Sequence, residues 1–395
     1  MPIFSLGNSQ LNDLYDKVRV STPFTLFNCQ FLFDKKPLFW DELLLTGGTS
    51  TFSVNTSDVS MTVTTSSGSK VVRQTKEYFI YQANRAHQFS GTVIFGTAQS
   101  NTNQYVGLLD DNDGVAFTLQ GTVFGVVTRT STSGVPVDTF VPSTSFNIDK
   151  LDGTGPSGVA IDLTKTQLLY IEYQWFGVGS VRWGVYFNGH IFYVHQIDHT
   201  NAVNVVYMKR GNLPVRYEIV NIGVTEGTCT MNQICCNVDS EGGYSPLGIK
   251  RAADLNTATV IVGPTLIPLL SINLKTAAIC GTIIPESFTF LGTTADSYEY
   301  KIIFNGTLTG ASYSSVDSTS IAQFDITATA ISGGTIISAG YASSVQRVIL
   351  EQAVASTLKL ASSINGITDT ITLAACHVGN GTVPMLAAIE WKEFI

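Results

Sequence analysis

The sequence predicts an all-β protein made of two antiparallel β-sandwich or jelly-roll-like domains in tandem, with very little helix. The 395 residues are 44% hydrophobic but only 13% charged. Hydrophobic residues recur at every second position over much of the chain after Ser50, which is the period of a half-buried strand. The length exceeds that of one average domain, so we expect more than one core. Helix is tolerable only in DLYDKVRV (13–20) and in SSVQRVILEQAVAS (343–356), and the second segment also alternates.

Strands are predicted in close succession through the first part of the chain. TFSVNTSDVSMTVTTSS (51–67) alternates with one shift near Thr56 to Asp58, which indicates a turn or a bulge. The pattern continues in VAFTLQGTVFGVVTRT, QLLYIEYQWF, VRWGVYFNGHIFYVHQI and VRYEIVNIGV (115–130, 167–176, 181–197 and 215–224). Asn188-Gly189 is flanked by aromatic strand segments, and this dipeptide favours a two-residue hairpin turn.

A domain boundary is predicted within SEGGYSPLGIKRAADLN (240–256), where glycines, a proline and a basic pair separate two strand-rich regions. Residues 1–245 are expected to form an N-terminal arm and a lectin-like or jelly-roll sandwich. Residues 246–395 are expected to form a second jelly-roll-like sandwich. No internal repeat is evident, which argues against solenoids and propellers.

Charge and hydropathy argue against a nucleic-acid partner and against a membrane-spanning segment. The net charge is −8 and no run of Lys or Arg is present, so we expect no nucleic-acid partner, since binding to phosphate needs a localised basic surface. The N-terminus shows no export signal. The most apolar window, ATVIVGPTLIPLLSINL (258–274), contains two prolines and is too short to span a bilayer, so no membrane segment is expected. The six scattered cysteines are expected to be buried free thiols, as in a reducing cytoplasm.

Two Asp/Gly segments carry oxygen ligands of the kind that Ca²⁺ requires: DDNDG (110–114) and DKLDGTGPSG (149–158). Both lack the distal glutamate of an EF-hand, and Asp, Asn and Gly are also the usual residues of β-turns. A turn is therefore the predicted role, and a weak calcium site at Asp149 and Asp152 is the alternative. GTGPSG is not a phosphate loop, because it lacks the Gly-Lys-Ser/Thr ending and its proline has no N–H to offer. No cofactor is predicted.

Catalytic and zinc motifs are absent from the sequence. There is no GxSxG, HExxH or Cys/His/Asn signature. His190 and His195 are five residues apart on a predicted strand, so without a bulge they face opposite sides and cannot share a zinc ion. Carboxylate pairs such as Glu172 with Asp198 or Glu218 could cleave a glycoside only if the fold brings them together.

An aromatic and basic group is the candidate contact surface: Trp175, Arg182, Trp183 and Tyr186. Aromatic residues at alternating positions usually pack in a core or across a hairpin. Exposed together, these side chains would instead offer a platform for a sugar. They are the predicted contact or glycan-binding surface.

Eight segments spread over most of the chain carry a resemblance to a known family: LFWDELL (38–44), KVVRQTKEYFIYQ (70–82), FNIDKLDGTGPSGVAIDLTK (146–165), QWFGVGSVRWG (174–184), NLPVRYEI (212–219), ICCNVDSEGG (234–243), FNGTLTGASYSSVD (304–317) and TATAISGGTIISAGY (327–341). Together they resemble a family of virion structural proteins encoded by tailed bacteriophages and other large double-stranded DNA viruses. The resemblance implies a jelly-roll or sandwich protein that assembles as a homo-oligomer, for which we expect a trimer, and that docks to other virion proteins. It implies no cofactor and no catalytic residue.

The leading functional prediction is a non-enzymatic structural protein of the virion exterior, such as a decoration, collar, spike or fibre component. Such a protein is made in the host cytoplasm and located in the virion. The alternative is a host-glycan-binding module that recognises a receptor at the particle surface. A glycan-cleaving enzyme is the third hypothesis.

Overall fold

A computed structural model describes residues 22–245, 247–343, 348–351 and 359–394 of the chain. Two short 3₁₀ turns, Ser143–Ser145 and Thr276–Ala278, are the helical elements in these ranges. The prediction of an all-β antiparallel protein with very little helix is therefore confirmed. Of the two helix candidates, 13–20 lies outside the described residues, and the described part of 343–356 includes the strand Val348–Glu351. Over the described ranges, no helix is long and apolar enough to cross a membrane.

The chain divides into two compact units, and the second begins at Leu247. The described strands of the first unit are β1 Phe24–Gln30, β2 Trp40–Leu45, β3 Thr49–Ser53, β4 Asp58–Val63, β5 Lys70–Thr75, β6 His87–Ile94, β7 Thr102–Leu109, β8 Gly114–Gln120, β9 Val123–Thr130, β10 Val137–Pro142, β11 Gln167–Tyr173, β12 Ser180–Phe187, β13 His190–Asp198, β14 Val215–Asn221 and β15 Cys229–Ser240.

The first unit is a jelly-roll-like sandwich of two antiparallel sheets. One sheet runs in the order β13-β12-β11-β6-β15-β4-β3, with β1 paired to β15, and the other runs β10-β9-β8-β7-β14-β5-β2. Each sheet turns alternate residues inward, so Trp183 on β12, Phe117 on β8 and Tyr217 on β14 are fully buried in one core. The polar residues between them point to the two outer faces.

Two predicted turns are confirmed in this unit. β3 and β4 form a hairpin in which Ser53 pairs with Asp58, which accounts for the shift in alternation. Asn188 and Gly189 join β12 to β13 with φ angles of 49° and 81°. Both φ angles are positive, as the tight hairpin turn of type I′ requires.

The second unit is also built from antiparallel sheets. Its described strands are β16 Ile249–Asp254, β17 Thr259–Val262, β18 Ile267–Leu274, β19 Thr282–Gly292, β20 Ser297–Phe304, β21 Thr307–Thr309, β22 Ser314–Ser315, β23 Ala322–Asp325, β24 Ala330–Ser332, β25 Thr335–Ser343, β26 Val348–Glu351, β27 Thr370–His377 and β28 Thr382–Phe394. One sheet runs β16-β28-β19-β26, with β17 paired to β28, the second runs β22-β23-β18-β27-β20-β25, and β21 pairs with β24. Trp391, Tyr298 and Phe288 are fully buried in its core.

Candidate functional site

The predicted contact surface is divided between the inside and the outside of the first unit. Trp183 is 0% exposed and lies in the core, with its ring 5.8 Å from that of His195. Arg182 and Tyr186 project from the opposite, outer face of β12, because neighbouring residues of a strand face opposite sides. Trp175 follows β11, is half-buried, and donates from Nε1 to the carbonyl oxygen of Met208 at 2.9 Å. The four side chains therefore do not form one surface.

Arg182 takes part in a buried ion pair. Its Nη2 lies 2.8 Å from Oε2 of Glu172, and the two side chains are 2% and 0% exposed. The Tyr193 ring stacks on the guanidinium with its centroid 4.0 Å away. Removal of either charge would take the counter-ion from a buried charge, which is strongly destabilising, so this pair has a structural role.

The carboxylate pair of Glu172 and Glu218 cannot act on one substrate. Glu172 lies on β11 between the core residues Ile171 and Tyr173 and points out of the eight-stranded sheet. Glu218 lies on β14, and its neighbours in the chain are also core residues, so it points out of the seven-stranded sheet. The outer faces of a sandwich point away from each other.

Glu218 belongs to a network of charges on its own face. Its carboxylate lies 2.9 Å from Nζ of Lys70 and 2.9 Å from Nη1 of Arg216, and the same Nη1 contacts Asp111 at 2.6 Å. Burial alone would raise the pKa of Glu218, but Arg216 and Lys70 outweigh it and hold that pKa below its usual range. Arg216 likewise overcomes burial and lowers the pKa of Asp111. Neither carboxyl group is suited to donate a proton at neutral pH.

His190 and His195 lie on the same side of β13, whereas simple alternation predicts opposite sides. The register of β12 and β13 shifts between Trp183 and Gly184, so β13 carries one extra residue there. His195 pairs with Trp183 and His190 pairs with Phe187, four residues along β12. The bulge therefore puts both histidines on the same side of the strand, which simple alternation could not show. Over the described part of the chain, no group of three or more His, Cys, Asp or Glu is placed to hold a metal ion.

Asp149 and Asp152 hold the corner of the 149–158 segment. Asp149 is buried and accepts from the N–H groups of Leu151 at 2.8 Å and Ser157 at 2.7 Å. Asp152 accepts from the N–H and the hydroxyl of Thr154 at 2.9 and 2.6 Å. The corner needs glycine at position 155, because a Cβ there would lie 2.2 Å from Oδ1 of Asp149. The two carboxylates thus accept from groups of their own loop.

Asp110 and Asp113 hold the other acidic segment, 110–114, in place. Asp110 accepts from the N–H groups of Asn112 and Asp113 at 2.7 and 2.8 Å. Asp113 accepts from the N–H of Lys209 at 2.9 Å and lies 3.2 Å from Nε of Arg210. The segment is a turn that ties two loops together.

A cleft of about 180 Å³ opens at the end of β12. One wall is the end of that strand, just before the hairpin turn, and the other is the segment 159–167 that leads into β11. The lining residues are Val159, Ala160, Ile161, Asp162, Lys165, Thr166, Gln167, Val185, Tyr186 and Phe187. Tyr186 is the one member of the predicted contact surface that lines it.

The cleft combines an aromatic ring with fixed polar groups. The Phe187 ring is 46% exposed beside the turn, whereas the Tyr186 ring projects from the outer face of β12 and packs against Tyr170, with ring centroids 5.9 Å apart. Gln167 donates from Nε2 to the carbonyl oxygens of Asp162 at 2.7 Å and Lys165 at 3.2 Å, which fixes its amide. Apolar faces next to directed donors and acceptors are the usual make-up of a small-molecule site.

Asp162 supplies a hydrogen-bond acceptor to the cleft, and bonds from its own loop keep its carboxyl group ionised. Oδ1 of Asp162 accepts from the N–H and the hydroxyl of Thr164 at 3.0 and 2.6 Å. These bonds, the side-chain bond first, lower the pKa of Asp162. The carboxylate of Asp162 and the ammonium of Lys165 therefore offer an acceptor and a donor on the same wall.

Comparison with known proteins gives matches among solved structures. A Bacillus licheniformis β-glucanase is 9% identical and matches over 55% of this chain and 98% of its own, with a TM-score of 0.36. The carbohydrate recognition domain of Emp47p is 11% identical and matches over 54% and 94%, with a TM-score of 0.34. A Bacteroides ovatus GH16 protein in complex with a product is 10% identical and matches over 54% and 99%, with a TM-score of 0.35. No family model and no curated protein matches the chain.

These comparisons contradict two predictions made from the sequence. The similar solved structures named above are glycoside hydrolases and a carbohydrate recognition domain, not virion components, so the prediction of a non-enzymatic protein of the virion exterior is wrong. The prediction that the chain is not an enzyme is contradicted by the same glycoside hydrolases. At 9 to 11% identity the likeness is one of fold alone, so the function of this chain depends on its own residues. Self-association as a trimer stays a prediction.

Proposed function

We propose that the first unit binds carbohydrate in the cleft between β12 and the segment 159–167. The observation that carries the proposal is the placement of Phe187 beside Asp162, Lys165 and Gln167 in one cleft. A pyranose has a C–H face that packs on an aromatic ring and hydroxyl groups that both donate and accept hydrogen bonds. The cleft offers a partner for each of these features.

The size of the cleft favours a single sugar residue. At about 180 Å³ it is smaller than the roughly 300–1,000 Å³ of sites that enclose a drug-sized ligand. One sugar of a longer glycan would enter it, while the rest of the glycan would remain in solvent. Affinity for one residue is then weak, and multivalent presentation on a polysaccharide would strengthen it.

Affinity electrophoresis and calorimetry of the purified chain test the proposal. The probes are a mixed-linkage β-glucan, a mannan and an alginate, which cover neutral and acidic polysaccharides. We expect retardation by at least one of them, and we expect Phe187→Ala and Gln167→Ala each to weaken that binding about tenfold or more. This corresponds to roughly 1.4 kcal/mol, the order expected for one ring contact or one directed hydrogen bond.

Phe33→Ala is the matched control, because Phe33 is 89% exposed and does not line the cleft. It should bind as the unsubstituted chain does. Size analysis of each polysaccharide after incubation distinguishes binding from cleavage, since shorter products would show that the chain also hydrolyses it. The proposal fails if no polysaccharide binds, or if Phe33→Ala weakens binding as much as Phe187→Ala does.

A further inference from the structure

Two cysteines of the first unit face each other across neighbouring strands. Cys29 on β1 is the register partner of Cys236 on β15. Partners on antiparallel strands project to the same face, with their Cα atoms about 4.5–5.5 Å apart. Both side chains lie in the same core, at 0% and 2% exposure, and both are free thiols in the structure.

This pairing meets the backbone requirement of a disulfide. Disulfide-linked residues have Cα atoms about 4.4–6.8 Å apart, so the two strands need not move to form the bond. Cys235 is the next residue on β15, but its register partner is Gln30. Because neighbours on a strand face opposite sides, Cys235 points away from the pair. The register therefore selects Cys236 as the partner of Cys29.

The surroundings of the pair bear on its chemistry. Nε1 of Trp40 donates to Sγ of Cys29 at 3.2 Å, and the buried Arg73 guanidinium lies within electrostatic reach of both thiols. A cation and a donor favour the thiolate, which is the reactive form of cysteine. Burial, the largest effect, nevertheless raises the pKa of both thiols. Reaction in the closed fold should therefore be slow.

Local opening gives an oxidant access to the pair. Among the described residues β1 pairs with β15 alone, and several of its side chains are exposed. A peripheral strand with one neighbour opens at lower cost than a central one. Release of β1 would expose Cys29 and Cys236 together.

We propose that Cys29 and Cys236 form a cross-strand disulfide when the protein meets a peroxide. Hydrogen peroxide first oxidises one thiolate to a sulfenic acid and is itself reduced to water. The second thiol then attacks the sulfenic sulfur and expels water, so two thiols and one peroxide give one disulfide and two waters. The bond fastens β1 to the middle of the eight-stranded sheet and closes a loop of about 200 residues. A loop of that length strongly restricts the unfolded chain.

The experiment treats the folded chain with hydrogen peroxide and, in parallel, refolds it from urea in a glutathione redox mixture. Free thiols are then alkylated, and the intact mass and the peptide map are recorded. We expect the treated chain to carry two alkyl groups fewer than the untreated chain, to give a peptide pair linked through Cys29 and Cys236, and to have a raised Tm that dithiothreitol reverses. Cys235→Ser is the matched control and should keep the link, whereas Cys236→Ser should lose it.

The peptide map of the unsubstituted chain tests the proposal even if a cysteine variant fails to fold. The proposal is overturned if both treatments leave Cys29 and Cys236 alkylated. It is equally overturned if Cys29 is linked to Cys235, or if peroxide takes Cys29 to the sulfinic acid with no link in either treatment.

Discussion

Acid should destabilise the first unit through His87. This residue begins β6, is fully buried, and its Nδ1 lies 3.3 Å from the hydroxyl oxygen of Tyr173. Burial lowers the pKa of His87 from 6.5 to about 3. The unfolded chain therefore takes up a proton at His87 as the pH falls through about 6.5, whereas the folded chain stays neutral there until about pH 3. Stability contributed by the neutral ring is present above pH 6.5 and is lost below it.

The size of the effect follows from the two pKa values. Between pH 8 and pH 5, a site that titrates near 6.5 when unfolded and near 3 when folded lowers the free energy of unfolding by about 2 kcal/mol. His195 and His199 also have lowered pKa values caused by burial. They add to the loss in the unsubstituted chain and in a His87 variant alike, so comparison of the two isolates His87.

Urea unfolding at pH 8 and pH 5, followed by tryptophan fluorescence, measures this loss. Trp391 is the one tryptophan of the second unit, so a Trp391→Phe background restricts the signal to the first unit. We expect the loss between the two pH values to be about 2 kcal/mol smaller in His87→Gln. His190→Gln, at an exposed hairpin position, is the control and should keep the full loss. An undiminished loss in His87→Gln would refute the reasoning, because it would mean that His87 is protonated in the folded state as readily as in the unfolded one.

Three further predictions follow from single residues. Trp183→Ala removes a fully buried ring and should lower the free energy of unfolding by about 3–5 kcal/mol, measured by urea unfolding; a loss below about 1 kcal/mol would contradict the core position. Asp149→Ala leaves two N–H groups of the 149–158 corner without this acceptor and should lower the free energy of unfolding by about 3 kcal/mol. EDTA should leave the Tm of the unsubstituted chain unchanged, and a lower Tm in EDTA would indicate a bound cation. In the second unit, Oδ2 of Asp296 lies 2.8 Å from Nε2 of His377 and raises its pKa, so NMR titration of Asp296→Asn should give a lower pKa for that ring, and an unchanged value would show that the pair does not form.

Part of the candidate site could be found in the sequence. The aromatic strand segment predicts Tyr186 as a contact residue, and Asn188-Gly189 predicts the turn that ends β12. Phe187 could have been added on that ground, because the residue just before a tight turn lies at the rim of the sheet. The turn formed by Asp162 and Thr164 is also a local signal. The position of this turn opposite β12 is not a local signal, because it depends on a contact between segments about 20 residues apart in the chain.

The sequence by itself determined the all-β class, the hairpin at 188–189 and the role of Asp149 in a turn. These depend on alternation and on turn chemistry, which act over a few neighbouring residues. Only the tertiary structure decided that Trp183 is core while Tyr186 lines a cleft, that a bulge brings His190 and His195 to one side, and that Cys29 faces Cys236. Alternation shows that two faces exist but not which face is covered, and strand register depends on residues that are far apart in the chain.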